Sequence, residues 1–298
     1  MNESLLDLRT RSSWALARIS ALVNEGRSNG WLPGTPFQQP DLGLILRAAT
    51  PLAAPMRLLA ERLSLDPLEL DVLWMLACIE LEPQVARATQ LLGTAELNAQ
   101  LLERAITQGL VIENDIFERL QQLALIDVTE GPAYRRLIRL DDRVVDLVRG
   151  RFALDRKLRE FVTLQPKVDI PRAPSIIELA PNTTVMVSGA SGSGRVTALR
   201  RRAAANGVGS LLVNSNELSK DSSVFERQIR SIVRECRLHS AWPIFREADN
   251  VLPAIEHAMR MAQDVPLMAS VRSTVAPRSR RVINSELKIP SVGARAGL

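Results

Sequence analysis

Residues 183–197 read TTVMVSGASGSGRVT, and the order of chemistry along them decides the fold. Residues 183–188 are β-branched or apolar up to a final serine, a composition that predicts a buried strand. Gly189, Ala190, Ser191, Gly192, Ser193 and Gly194 follow as six small residues in a row, and residues 195 to about 206 then suit a helix. Strand, glycine-rich loop and helix in that order form the setting of a phosphate-binding loop, G-x-x-x-x-G-K-[ST]. The glycines let the backbone fold into a nest whose N–H groups face phosphate oxygens at the positive end of a helix. Gly189, Ser191, Gly192, Ser193, Gly194, Arg195, Val196 and Thr197 are therefore the candidate nucleotide-binding residues.

Outward from this loop the pattern keeps alternating. Residues 211–213 predict a strand, 222–239 a helix, 243–245 a strand, 252–263 a helix, 266–271 a strand and 282–289 a fifth strand. Alternation of this kind predicts an α/β domain built on a parallel five-stranded sheet covered on both faces.

Two positions inside the loop depart from the phosphate-loop rule. Arg195 stands where a lysine reaches the outer phosphates; it keeps the charge but is longer and planar. Val196 stands where a Ser or Thr hydroxyl holds Mg²⁺, and valine cannot ligate a metal. Thr197 is one residue late, turned about 100° round the helix, so it is a weak candidate metal ligand. Downstream, residues 244–249 read IFREAD. Glu247 is the candidate catalytic acid, Asp249 a second candidate carboxylate, and Arg246 occupies the place of a metal-site acid. Asp249 has a plainer alternative as the cap of the next helix. Ser273 and Thr274 follow the fourth strand, where a polar residue would sense a terminal phosphate, or simply make a turn. Arg278, Arg280 and Arg281 form a basic cluster that reads either as an arginine finger for a neighbouring subunit or as a solvated loop.

The first half of the chain has a different texture. Residues 3–25 place apolar side chains at helical spacing, ended by Gly26. Residues 27–43 are rich in Gly, Pro, Asn and Gln and predict a loop. Asp66-Pro67-Leu68-Glu69 is a helix start: Asp66 caps, Pro67 suits the first position, and Glu69 returns the capping bond. Leu68, Val72, Met75, Leu76 and Ile79 then share one face. Shorter helices are predicted at 84–92, 95–107 and 113–123. At 125–129 (LIDVT) the period changes to that of a strand, a turn follows at Glu130-Gly131-Pro132, and 134–140 returns as a second strand. Asp141 caps a last helix to about residue 149. Helices, a hairpin and a helix in that order predict a winged-helix-like domain. Residues 165–174, with three prolines in ten, predict the linker, so the expected domains are 1–165 and 166–298.

Composition narrows the function. The chain has 298 residues, 46% of them apolar and 24% charged, which excludes collagen-like and disordered classes. No apolar run reaches the ~20 residues of a membrane span. Cys78 and Cys236 are the only cysteines and His239 and His257 the only histidines, so neither a disulfide framework, a zinc site nor a Ser-His-Asp triad is expected. A reducing cytoplasm is the expected compartment. Residues 1–165 are net −3, residues 166–298 net +8. A basic second half suits an anionic partner. The acidic first half argues against a DNA-binding winged helix, although 135–159 is locally +5.

The whole pattern resembles the AAA+ ATPases, and among them the branch that sets a helical, winged-helix-like region before a single AAA+ module, such as the ATPase of phage-tail-like contractile injection clusters. The residues that carry the resemblance are 63–83 (LSLDPLELDVLWMLACIELEP), 117–149 with its hairpin and its acidic cap Asp141-Asp142, the loop 189–197, the stretch 245–249 and Ile289-Pro290-Ser291. It implies ATP and Mg²⁺ as ligands, with Phe-Asp-Glu-Ala-Asp as the usual form of 245–249. It also implies a helical lid after the fifth strand, whereas the sequence stops at Leu298, so a truncated module is expected. Arg195, Val196 and Arg246 all depart from the catalytic pattern. The expected function is a degenerate AAA+ subunit that binds a protein partner or a complete AAA+ paralogue, or forms a homo-oligomer. Alternatives are an active but atypical ATPase that remodels a protein assembly, and a DNA-binding regulator.

Overall fold

A computed structural model gives the chain's structure and describes residues 3–36, 54–93, 97–107, 115–132, 135–167, 182–273 and 280–287. The chain forms two compact units, Met1–Ala153 and Leu154–Leu298. The division falls earlier than the proline-rich stretch that was expected to separate them, and residues 168–174 of that stretch lie outside the described residues.

The first unit is mainly helical. Helix α1 (Glu3–Ser28) runs past Gly26, the expected stop. A Cβ at Gly26 would lie 2.5 Å from Leu32 Cδ1, so the missing side chain admits the returning loop; the chain turns at Gly30, whose φ is +75°. Helix α2 (Ala54–Leu63) was not expected, and α3 (Pro67–Leu81) follows it. The capping box forms as read: Asp66 Oδ1 accepts from Glu69 N at 2.8 Å, and Asp66 N donates to Glu69 Oε2 at 2.8 Å. The apolar face proves too narrow a description of α3, because every residue from Asp71 to Cys78 is buried. A helix wrapped on all sides is the centre of its unit. Helices α4 (Pro83–Gln90), α5 (Ala99–Thr107) and α6 (Asp115–Gln122) lead to an antiparallel hairpin, β1 (Ile126–Val128) and β2 (Ile138–Leu140), and to α7 (Asp142–Val148). Asp141 caps α7 through Arg143 N at 2.9 Å.

The second unit is a three-layer α/β arrangement. Its strands are β3 (Val162–Gln165), β4 (Thr183–Gly189), β5 (Gly209–Asn214), β6 (Ala241–Arg246), β7 (Leu267–Val271) and β8 (Arg281–Leu287). The sheet order is β3-β5-β6-β7-β4-β8. The expected five parallel strands are present, but the sheet is six-stranded and mixed: β3 pairs antiparallel with β5 at the edge. Gly209 allows that pairing, since a Cβ there would meet Gln165 O at 2.9 Å. Helix α8 (Arg195–Ala205) covers one face through Leu199 on Val185, Val187, Ile244 and Met268. Helices α9 (Ser222–Leu238) and α10 (Leu252–Ala258) cover the other, over Met186, Leu211, Phe245 and Ala269. Among the described residues no helix is long and apolar enough to cross a membrane.

A buried charge network ties the start of this unit to α9. The guanidinium of Arg234, 0% exposed, pairs with Asp155 and with Glu235, whose Oε1 lies 3.2 Å from Arg234 Nε. Glu235 Oε2 in turn faces His239 Nε2 at 3.3 Å. Removing one member of a buried pair leaves a desolvated charge behind. Arg234→Ala is therefore expected to cost about 3–5 kcal/mol, read from the midpoint of chemical denaturation followed through the sheet unit; a loss no larger than that of a typical surface substitution contradicts this. At the other end of α9, Asp221 caps the helix through Ser223 N and Val224 N, both at 3.0 Å. These bonds, that from Val224 first, hold its carboxyl below the usual 3.8. The stability it contributes is full above that value and lost as pH falls through the lowered one. Asp221→Asn should flatten the stability loss below pH 3.8 in acid titrations monitored by circular dichroism, and superimposable curves would refute it.

Candidate functional site

Because β4 to β8 are parallel, their C-terminal ends meet on one edge of the second unit. The chain leaves β4 through α8 toward β5, while β8 docks on the other side of β4. The edge beside β4 is thus the point where the strand order reverses, which is where open α/β sheets bind ligands.

The glycine-rich loop sits at that point. Gly189 (φ +149°), Gly192 (φ +80°) and Gly194 (φ +85°) take conformations that side chains rarely adopt. Gly194 is the N-cap of α8, and no side chain caps the helix. A Cβ on Gly189 would collide with the Leu287 carbonyl oxygen and come within 2.9 Å of Ser193 Oγ. The loop therefore wraps a cradle that only glycine can close. Two buried polar atoms in it have no hydrogen-bond partner among the described residues: Ser193 Oγ, in a residue 6% exposed, and Arg195 Nη1, in a residue 8% exposed. Ser188 Oγ in β4 and Ser215 Oγ just past β5 are buried and unpartnered as well. Such groups cost free energy unless something else satisfies them. Ser191 is exposed at the rim.

The one weak candidate metal ligand, Thr197, and the two positions that depart from the metal-site pattern, Val196 and Arg246, are placed as follows. Val196 packs against the apolar cluster under α8, and Thr197 is exposed on the other side of the helix. Arg246 ends β6 on the face that α8 covers, since Ile244, two residues earlier, packs with Leu199. Among the described residues no three His, Cys, Asp or Glu side chains cluster as a metal site. Ser193 Oγ and Arg195 Nη1 are donors of the kind an anion accepts from, and Val196 and Arg246 bring no oxygen that Mg²⁺ could use.

Glu247 follows Arg246 with φ +53°, a left-handed conformation that a non-glycine residue holds at a cost of roughly 1–2 kcal/mol. Its N–H donates to Ser270 Oγ at 3.2 Å, and its Oε2 accepts from Asn216 Nδ2 at 3.1 Å. With β7 between them, β6 and β4 lie about 10 Å apart, which sets the lateral separation of Glu247 from the loop. Asp249 neither caps α10 nor stands free: its Oδ1 accepts from Arg272 N at 2.6 Å and Ser273 N at 3.4 Å. It fixes the chain as it leaves β7 and so positions the exposed Ser273. Thr274 and Arg278 lie outside the described residues.

The basic cluster requires a correction. Arg280 is 6% exposed, and its guanidinium donates to the carbonyls of Met259, Ala262 and Val265 at 2.9, 2.9 and 3.2 Å. It closes the end of α10 and has no freedom to act as a finger. Desolvation lowers its pKa from the ordinary arginine value. Arg281 is exposed, but it pairs in register with Thr183 at the opposite edge of the sheet from the loop. Asn216 was not anticipated at all. Its signal, a polar Asn-Ser-Asn run after the second strand, gains meaning only once β5 and β6 are known to be neighbours.

The loop geometry separates two glycines. Gly189→Ala must displace the Leu287 carbonyl and is expected to cost about 1–3 kcal/mol through overpacking. Gly192→Ala meets nothing within 4 Å and carries only its φ strain, about 1–2 kcal/mol. Thermal unfolding of the two variants checks the order; Gly192→Ala being the more destabilised would contradict it.

No protein-family model matches the chain, and no curated protein matches its sequence. Function therefore rests on the site itself.

Proposed function

We propose that the second unit is a phosphate-loop nucleotide-binding module of AAA+ type, that it binds ATP, and that it has lost efficient hydrolysis. In this reading the protein is a degenerate ATPase-family subunit that works through a protein partner, a complete AAA+ paralogue or its own copies, with the first unit as a winged-helix-like docking domain. The observation that carries the reading is the pair of buried, unpartnered donors, Ser193 Oγ and Arg195 Nη1, beside an uncapped helix start. An anion seated there would satisfy both and meet the positive end of α8. The fold adds support: the loop lies at the reversal point of the strand order, and the strand that leads into Glu247 ends on the same edge.

Hydrolysis is a separate matter. Phosphoryl transfer relies on a metal ion and positioned charge, and Val196 and Arg246 remove the side chains that would hold the metal. A second reading, an active but atypical ATPase, is favoured by one observation: Glu247 is held at the strand end by Asn216, as a water-polarising acid would need to be.

Calorimetric titration of the full chain with ATP tests the first reading. Saturable 1:1 binding is expected, weakened about tenfold or more in Arg195→Ala by loss of a charge-assisted contact. Phosphate release should not rise above the protein-free rate. Absence of binding overturns the reading. Mg²⁺-dependent turnover that disappears in Glu247→Gln establishes the second one instead.

A further inference from the structure

We propose that this loop takes its polyphosphate as the bare anion, with the guanidinium groups of Arg195 and Arg246 supplying the positive charge that a divalent cation supplies in other phosphate loops. The inference rests on the reading of the loop as a polyphosphate site and adds the ionic form of the ligand.

Four observations carry it. Val196, at the position for a metal-binding hydroxyl, packs against the core beneath α8. Arg246, at the position for a metal-binding acid, ends β6 on the α8 side of the sheet. The two nearby carboxylates are engaged: Glu247 Oε2 with Asn216 Nδ2 at 3.1 Å, and Asp249 Oδ1 with Arg272 N and Ser273 N. Arg195 Nη1 is buried at the foot of the helix without a partner among the described residues.

Mg²⁺ demands near-octahedral oxygen ligation and gives up its water reluctantly. Here it would meet a valine and an arginine where it needs oxygens, and the two nearby carboxylates are already engaged. A guanidinium, in contrast, is always charged and presents a planar fork of donors that suits two phosphate oxygens at once. Two such groups bring the same double positive charge that one Mg²⁺ ion would bring. Complexation of ATP by Mg²⁺ would then occupy the oxygens the arginines need, so the metal complex is the poorer ligand. The ordinary metal dependence of a phosphate loop is reversed.

Calorimetry on the full chain with ATP, and in parallel with inorganic tripolyphosphate, in EDTA and then in excess Mg²⁺ tests this. Binding in EDTA is expected to equal or exceed binding in Mg²⁺ for both probes. Arg246→Asp, a change at an exposed residue, should weaken binding in EDTA about tenfold or more. Together with Val196→Thr, it should make binding tighter in Mg²⁺ than in EDTA. Wild-type binding more than about threefold tighter in Mg²⁺ overturns the inference and leaves the polyphosphate reading standing, as does unchanged EDTA binding in Arg246→Asp for the role of that residue. Failure of both probes to bind under either condition overturns the polyphosphate reading itself.

Discussion

The carbonyl oxygen of Leu287 occupies the space that a side chain on Gly189 would need. That contact fixes how closely β8 lies against β4 and where the chain leaves the sheet for the glycine-rich loop. With β4 clamped between β7 and β8, the last residue of the strand, Gly189, has no room for a side chain, and the loop starts from there. Helix α8 then begins uncapped, with its N-terminal dipole directed over the strand ends. The cradle, the helix start and the placement of Arg195 all follow from one close approach between two backbones.

The rest of the edge is organised by hydrogen bonds that run across strands. Ser270 on β7 receives Glu247 N at 3.2 Å and, through its carbonyl, Ala248 N at 3.1 Å. Asn216 holds Glu247 from the side of β5, and Asp249 gathers the chain emerging from β7. Each of the three segments beyond β5, β6 and β7 is thus tied to a neighbour. Such an edge keeps a fixed shape whether or not chemistry occurs on it.

Much of this was legible in the sequence. The loop is read from residues 189–194, and five of the six strands from β-branched runs of ordinary spacing. The capping box of α3 is spelled out by Asp66 and Glu69. What escaped reading did so for physical reasons. Strand β3 is only four residues, VTLQ, and owes its form to Gly209 across the sheet. Arg280 sits in a run of charged and polar residues that reads as solvent-exposed, yet three carbonyls around α10 give it a buried seat that no local pattern announces. Asn216 matters through the strand order, which single-chain periodicity does not contain. Thr274 and Arg278 fall outside the described residues.

The network around Arg234 has a practical corollary for anyone dissecting this molecule. A gene fragment begun at residue 166, where the prolines invite a cut, would discard Asp155 and the whole of β3. It would leave the buried Arg234 guanidinium with Glu235 but without Asp155, and β5 with a raw hydrogen-bonding margin, the ingredients of an insoluble product. A fragment begun at Leu154 keeps both. The second unit thus reaches upstream of the prolines to a buried aspartate and an edge strand.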